Sequence, residues 1–234
     1  DPSILKEAEF GVDLLLVPYD DKKTLGEVIS AEKSALRPKA WVLVSHGDWL
    51  DGSRDADPYE PGVYMPLTRK DMASSEPALA VLGHIHKAVD ARDVVIPGSP
   101  CGLNITETGV RSFVVLDTDT HKLERIPLET DVIFLDERLV LYSMPDEVEY
   151  VSAQVKEVIE SWGIPKKLQQ KIILRLRVEG YCSNPQQVKE TVLEGLKAFE
   201  TYKDEGVDFY GLQFSGDLEK NAIAASMRDV IGAL

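Results

Sequence analysis

Apolar positions in the first half of the chain come as short unbroken runs separated by amphipathic or polar text. The run "VDLLLVPY" over 12–19 is closed by Pro18 and predicts a buried strand, and "AWVLVSH" over 40–46 predicts a second. Between them, "TLGEVISAEKSAL" over 24–36 spaces its apolar residues as an amphipathic helix does. Such alternation points to a layered α/β architecture, sheets flanked by helices. From 47 to 76 the text turns irregular, rich in acids, Gly and Pro, and only "RKDMAS" suits a short helix. An irregular stretch of that length within a compact domain is usually either functional or mobile. "PALAVLGHIHKA" over 77–88 then rises out of a proline as an apolar strand, stops at Gly83 and delivers His84 and His86. "DVVIPGSP" over 93–100 comes next, and "RSFVVLDTDTHKLERIPL" over 111–128 reads as a hairpin turning around "DTDTHK".

Past residue 130 the pattern changes. "DEVEYVSAQVKEVIESWG" over 146–163 is helical, "KIILRLRVEG" over 171–180 alternates as a half-buried strand, "PQQVKETVLEGLKAFETY" over 185–202 is helical, and "VDFYGLQF" over 207–214 is a strand. These shifts predict an α/β domain over 1–130, a small α+β accessory domain over 131–218, and a tail helix over 219–234.

Composition narrows the classes of function. With 234 residues, 44% of them hydrophobic, a packed core is expected. Against 26 Lys and Arg stand 40 Asp and Glu, a formal net charge of −14, which excludes a protein that coats polyanions over its whole surface. A local basic groove or a metal site remains compatible with that charge. Cys101 and Cys182 form no Cys-x-x-Cys pair, so the cysteines indicate neither a zinc ribbon nor a disulfide framework, and the reduced thiols suit a cytoplasmic protein. No apolar stretch reaches the length of a membrane span, and no signal segment opens the chain. The start at Asp1-Pro2, without methionine, suggests an origin in a longer polypeptide.

Three histidines occupy strand ends: His46 after "WVLV", and His84 and His86 after "ALAVL". Ligands gather at the strand ends of α/β sheets because loops converge there on a rigid base. If the backbone stays extended through 84–86, both imidazoles leave on the same face, and Gly83 lets the chain bend just before them. A hydrogen-bonded structural role is the alternative for His46 taken singly. Three imidazoles on neighbouring strand ends suit a metal site, since imidazole binds Zn, Mn and Fe alike. His121, in the polar "DTDTHK" turn, is expected on the surface.

"VLVSHGDW", then "LGHIHK", then "IPGSPCGLN" and a strand pair resemble, in that order, the calcineurin-like metallophosphoesterase superfamily. Within it they look most like the nuclease subunit of the bacterial SbcCD type, a DNA-repair exonuclease. The resemblance implies a metallophosphoesterase layered sandwich, truncated here, succeeded by a small α+β capping domain. It implies two divalent metal ions, Mn2+ foremost with Fe or Zn as alternatives, His46 and His84 on one ion and His86 on the other. It further implies DNA as substrate and an SbcC-like coiled-coil ATPase subunit as partner; a homodimer is compatible with the sequence, which does not set the oligomeric state. The family's carboxylate motifs have no whole match in residues 1–45. "DPSIL" resembles the end of the family's Gly-Asn-His-Asp motif and the residues after it, which would make Asp1 the acid that orients a catalytic histidine; a chance Asp-Pro is the alternative. On this resemblance the chain carries half a site and is inactive by itself.

Other residues divide between function and structure. The "PGSPCG" loop over 97–102 is either a substrate-facing loop or a plain turn, with Ser99 and Asn104 as candidate phosphate contacts and Cys101 a structural thiol. Asp48 either orients a ligand or belongs to an ordinary turn. Trp49, Tyr59 and Tyr64 either stack on an unpaired base or pack their loop down. Arg175 and Arg177 fall on one strand face near Lys166, Lys167 and Lys171, and form either a DNA-gripping patch or a solvated face. Two further readings stay open: a phosphoesterase acting on small nucleotides or phosphoproteins, and a non-catalytic binding module with a degenerate site.

Overall fold

In the computed structural model, which describes residues 1–7, 10–50 and 62–215, the apolar runs of the first half become strands of one sheet. In chain order the elements are β1 (Ser3–Leu5), β2 (Asp13–Val17), α1 (Leu25–Glu32), β3 (Trp41–His46), β4 (Trp49–Leu50), β5 (Leu67–Thr68), α2 (Arg69–Ser75), β6 (Leu79–Gly83), β7 (Val89–Ala91), β8 (Val94–Ile96), β9 (Ser112–Leu116) and β10 (Leu123–Pro127). The main sheet has the order β1-β2-β3-β6-β8-β7. Its four inner strands run parallel, and β1 and β7 are antiparallel edges.

Period-two alternation sends consecutive residues to opposite faces. Leu15, Val17, Leu43 and Leu82 pack against Leu25, Val28 and Ile29 of α1. Val12, Val42, Leu79 and Val95 face the other way and meet Val114, Leu116 and Leu123 of the β9–β10 ribbon. The predicted hairpin is thus present, with Leu116 opposite Leu123, and it forms a second layer over the sheet. His121 is exposed in its turn. Both helices begin with a reciprocal capping box, Thr24 with Glu27 and Thr68 with Asp71, which satisfies the first free N–H groups of each. The helix expected over 24–36 stops at Glu32 and closes in one tighter turn over Lys33–Ala35.

The remaining elements are β11 (Ile133–Leu141), α3 (Glu147–Ser161), α4 (Lys166–Gln169), β12 (Ile172–Cys182), α5 (Pro185–Leu196), β13 (Glu200–Thr201), β14 (Val207–Asp208) and β15 (Leu212–Phe214). β12 is the spine: β11 pairs with it in parallel along its length, and β13, β14 and β15 pair with it in succession on the other side. Leu174, Leu176 and Val178 of β12 are buried with Val151 and Val155 of α3 and Val188 and Val192 of α5. The single strand expected over 207–214 is two short ones. Asp208 Oδ1 accepts the Tyr210 N–H at 2.8 Å, a turn that breaks the ladder.

The architecture is therefore mixed α/β, with several sheets flanked by helices. The chain divides into two compact units, one of residues 1–101 and 111–128, the other of residues 102–110 and those from 129 on. No helix among the described residues is long and apolar enough to cross a membrane. The tail over 219–234 and Tyr59 lie outside the described residues.

Candidate functional site

The parallel strands β2, β3 and β6 end together: Val17 pairs with Ser45, and His46 with Gly83. β1 runs the other way, with Ser3 opposite Leu16, so Asp1 arrives at the same sheet edge from the opposite direction. A cleft of about 250 Å³ opens there, lined by Asp1, Pro18, Tyr19, Asp20, Lys23 and Met65 among others.

At this edge the His46 and His84 rings lie 5.3 Å apart between centroids, inclined at 66°. Tyr64 stands 4.8 Å from His84, and Tyr19 stands 6.5 Å from His46, edge to face. Burial, and then the neighbouring charges of His84 and His86, hold His46 below the ordinary imidazole value. Tyr19 is a residue that sequence reasoning overlooked. Its signal was position alone, since it follows Pro18 where β2 ends, the same kind of place that His46 occupies on β3.

The backbone does not stay extended through 84–86, contrary to the expectation. β6 ends at Gly83, and His84 adopts a φ of +97°. The alternation rule thus does not set where the two imidazoles point; the bend does. Gly83 is needed for a second reason: a Cβ there would lie 2.8 Å from His46 Nδ1. Close passage of β6 past the His46 ring leaves room only for hydrogen.

His86 is fixed through its carbonyl, which accepts the Ser99 N–H at 3.0 Å and an Arg111 guanidinium N–H at 3.2 Å. Gly98, at φ +83°, brings the loop close enough that a Cβ would stand 2.8 Å from the same carbonyl. The loop holding Ser99 is therefore packed on His86, and Ser99 is buried to 9% exposure. Asp48 is buried as well, at 1% exposure. Its Oδ2 accepts the Tyr64 N–H at 2.7 Å, and its Oδ1 lies 3.8 Å from His84 Nε2. Trp49 is half-buried in β4.

The other sequence-derived candidates belong to the second unit. Asn104 Oδ1 accepts the N–H and hydroxyl of Thr106, at 2.8 and 2.6 Å, and so closes a local turn. Arg175 donates to both oxygens of Asp136, at 3.0 and 2.8 Å, and to Glu205 at 3.0 Å. Arg177 reaches the same Asp136 at 3.4 Å. Lys167 pairs with Glu129, and Lys171 donates to the Thr130 carbonyl. The positive stretch of sequence is thus interleaved with acids in space.

The imidazoles of His46 and His84 and the buried carboxylate of Asp48 are donor chemistry that a hard-to-borderline divalent cation accepts. The arrangement is nonetheless incomplete. Among the described residues no group of three or more His, Cys, Asp or Glu side chains is placed to hold a metal ion. The described residues do not amount to a two-metal centre, and no catalytic step runs through one. No family model matches the chain, and no curated protein matches it.

Proposed function

We propose that this chain is part of a metal-dependent phosphodiesterase, the nuclease subunit of a DNA-repair exonuclease, and that it contributes the histidine side of the site. The observation that carries the proposal is the meeting of His46 and His84 at one sheet edge, with His86 two residues on. On this proposal the first unit is part of a metallophosphoesterase sandwich and the second is its capping domain. Divalent cations, Mn2+ foremost, would complete the centre together with carboxylates supplied from outside these 234 residues. DNA, a coiled-coil ATPase subunit and a second copy of the chain would be its partners in the cytoplasm. Ser99 would sit beside the substrate through its loop's packing on His86, and Asp1 would serve from the cleft that it lines at the same sheet edge.

One observation favours a smaller substrate. Arg175 and Arg177 face Asp136 and Glu205, so the patch meant to hold a DNA backbone carries its own counter-charges. With a net charge of −14 this suits a phosphoesterase acting on small nucleotides or phosphoproteins.

Hydrolysis assays separate these possibilities. The chain alone, with Mn2+, is expected to cleave neither linear duplex DNA nor bis(p-nitrophenyl) phosphate; robust turnover would contradict the half-site proposal. A polypeptide that joins this sequence to its adjoining coding sequence is expected to degrade duplex DNA, and to lose that activity on His84→Ala. Cleavage of the small diester without cleavage of DNA would favour the alternative. No cleavage of either by the joined polypeptide would count against both.

A further inference from the structure

Helix α3 carries Ser152, Val155, Lys156 and Ile159 at the spacing of a single helical face. The chain reverses after it at Gly163, whose φ is +61° and whose N–H donates to the Glu160 carbonyl at 3.3 Å. Ile164 is buried and anchors the return into α4, where Gln169 Nε2 donates back to the Ile164 carbonyl at 3.3 Å. From α5, Gly195 supplies only hydrogen at a place where a Cβ would stand 2.8 Å from Val155 Cγ1. Between these elements the second unit keeps a cavity of about 390 Å³.

Protein interiors rarely leave voids larger than a water molecule, and a space of this size falls in the range of small-molecule sites. Its floor is apolar: Val155 and Ile164 are buried, and Ile159 is half-buried beside them. Its mouth is cationic. Lys156 and Lys166 both line the cavity, and a lysine lays its methylene stem on apolar surface while the ammonium stays in water. Lys156 Nζ lies 3.7 Å from Glu160, an exposed pair of the kind that holds weakly and gives way to a better placed anion. Lys166 pairs with no acid among the described residues, whereas its neighbour Lys167 is taken up by Glu129. Ser152 Oγ already donates to the Val148 carbonyl at 2.8 Å, so the two ammonium groups are the strongest donors the mouth offers.

We infer that this cavity binds a small amphiphile with an apolar body and one anionic head, the class to which medium-chain carboxylates belong. The body lies against Val155, Ile159 and Ile164, and the head meets Lys166, with Lys156 turning to it from Glu160. Charge complementarity sets the class. An uncharged apolar molecule fills the floor but leaves both ammonium groups unused, and a polyanion sets its further charges against Glu160 on a chain of net charge −14. The site lies wholly within the second unit and is independent of the histidine edge. It gives Lys166 a role apart from the DNA-gripping patch that the sequence suggested.

The test is a titration of the 15N-labelled full chain with octanoate and, separately, with octanol at neutral pH, read by 1H–15N correlation spectra. Octanoate is expected to produce saturable shifts at the Val155, Ile159, Ile164 and Gly195 amides, and octanol to bind there at least about fivefold more weakly for want of the charge. Lys166→Glu is expected to weaken octanoate at least about fivefold and to leave octanol unchanged. Ser152→Phe, which sets a large ring at the mouth, is expected to weaken both. Both positions are exposed, so the variants' spectra away from the cavity are expected to overlay on the wild type. The inference is overturned by the absence of saturable shifts at these amides, by equal affinity for octanoate and octanol, or by octanoate binding that either substitution leaves unchanged.

Discussion

A φ of +97° is a conformation that L side chains rarely adopt, because the Cβ meets the flanking backbone, and it costs on the order of 1–3 kcal/mol. His84 carries that cost at the end of β6, between a glycine that the His46 ring requires and a buried carboxylate. Strain of this kind persists where surrounding structure over-determines it, and it concentrates at working sites. The stability consequence is specific. His84→Gly is expected to be more stable than His84→Ala by about 1 kcal/mol, despite the greater freedom of glycine in the unfolded chain. Urea denaturation of the two variants measures it, and the opposite order would mean that His84 is unstrained. The position of the three histidines at strand ends was legible in the sequence, because a buried apolar run ending in Gly-His-x-His marks its own boundary. The turn at His84 was not. Positive φ is uncommon for any residue but glycine, and although histidine is enriched there, nothing in the text set His84 apart from His46 or His86. Asp48 was legible only as a candidate, since its burial depends on residues 64 to 67 folding back across it.

At the scale of elements, β11 shows why an apolar period can fail to announce a strand. Ile133, Leu135, Leu139 and Leu141 are buried, but Asp136, Glu137 and Arg138 interrupt the run. Parallel pairing with β12 resolves part of the conflict by setting Asp136 opposite Arg175, while Arg138, directly opposite Arg177, turns to an acid further along β12. That acid is Glu179, so cross-strand charge pairs replace the expected alternation. The sequence showed the arginines and suggested DNA, but their acidic partners lie about 30 to 40 residues away along the chain and became visible only in register. Hydrogen bonding from Arg175 holds the Asp136 carboxyl below its ordinary value, against a smaller opposing push from burial. A folded-state pKa that is depressed means the unfolded chain binds more protons at acid pH. The contribution is therefore complete above about pH 4 and disappears as pH falls through the lower folded value. Asp136→Asn is expected to flatten the loss of stability between about pH 5 and pH 3, as read from urea midpoints. Asp136→Ala is expected to cost about 1–3 kcal/mol at neutral pH, because Arg175 loses its two-oxygen partner. A steep acid dependence that survives in Asp136→Asn would place the responsible carboxylates elsewhere.

For the whole molecule, the layered α/β class was legible from alternating strands and helices, while the sheet order emerged only in the fold. Order matters because it puts β2, β3 and β6 side by side, so that Tyr19, His46 and His84 share one edge although they are spread over 65 residues of sequence. The same order brings Asp1 to that edge on the antiparallel β1. Asn104, Arg175 and Arg177 instead belong to the second unit and are engaged in a turn and in ion pairs. The central claim is that the histidine edge binds a divalent cation incompletely. Its most direct measurement is an electron paramagnetic resonance titration of free Mn2+ against the wild-type chain, His46→Ala and His84→Ala. Weak uptake by the wild type, at least about tenfold weaker in each variant, is the expected result. Uptake that the two substitutions leave unchanged, or no uptake at all, would contradict it.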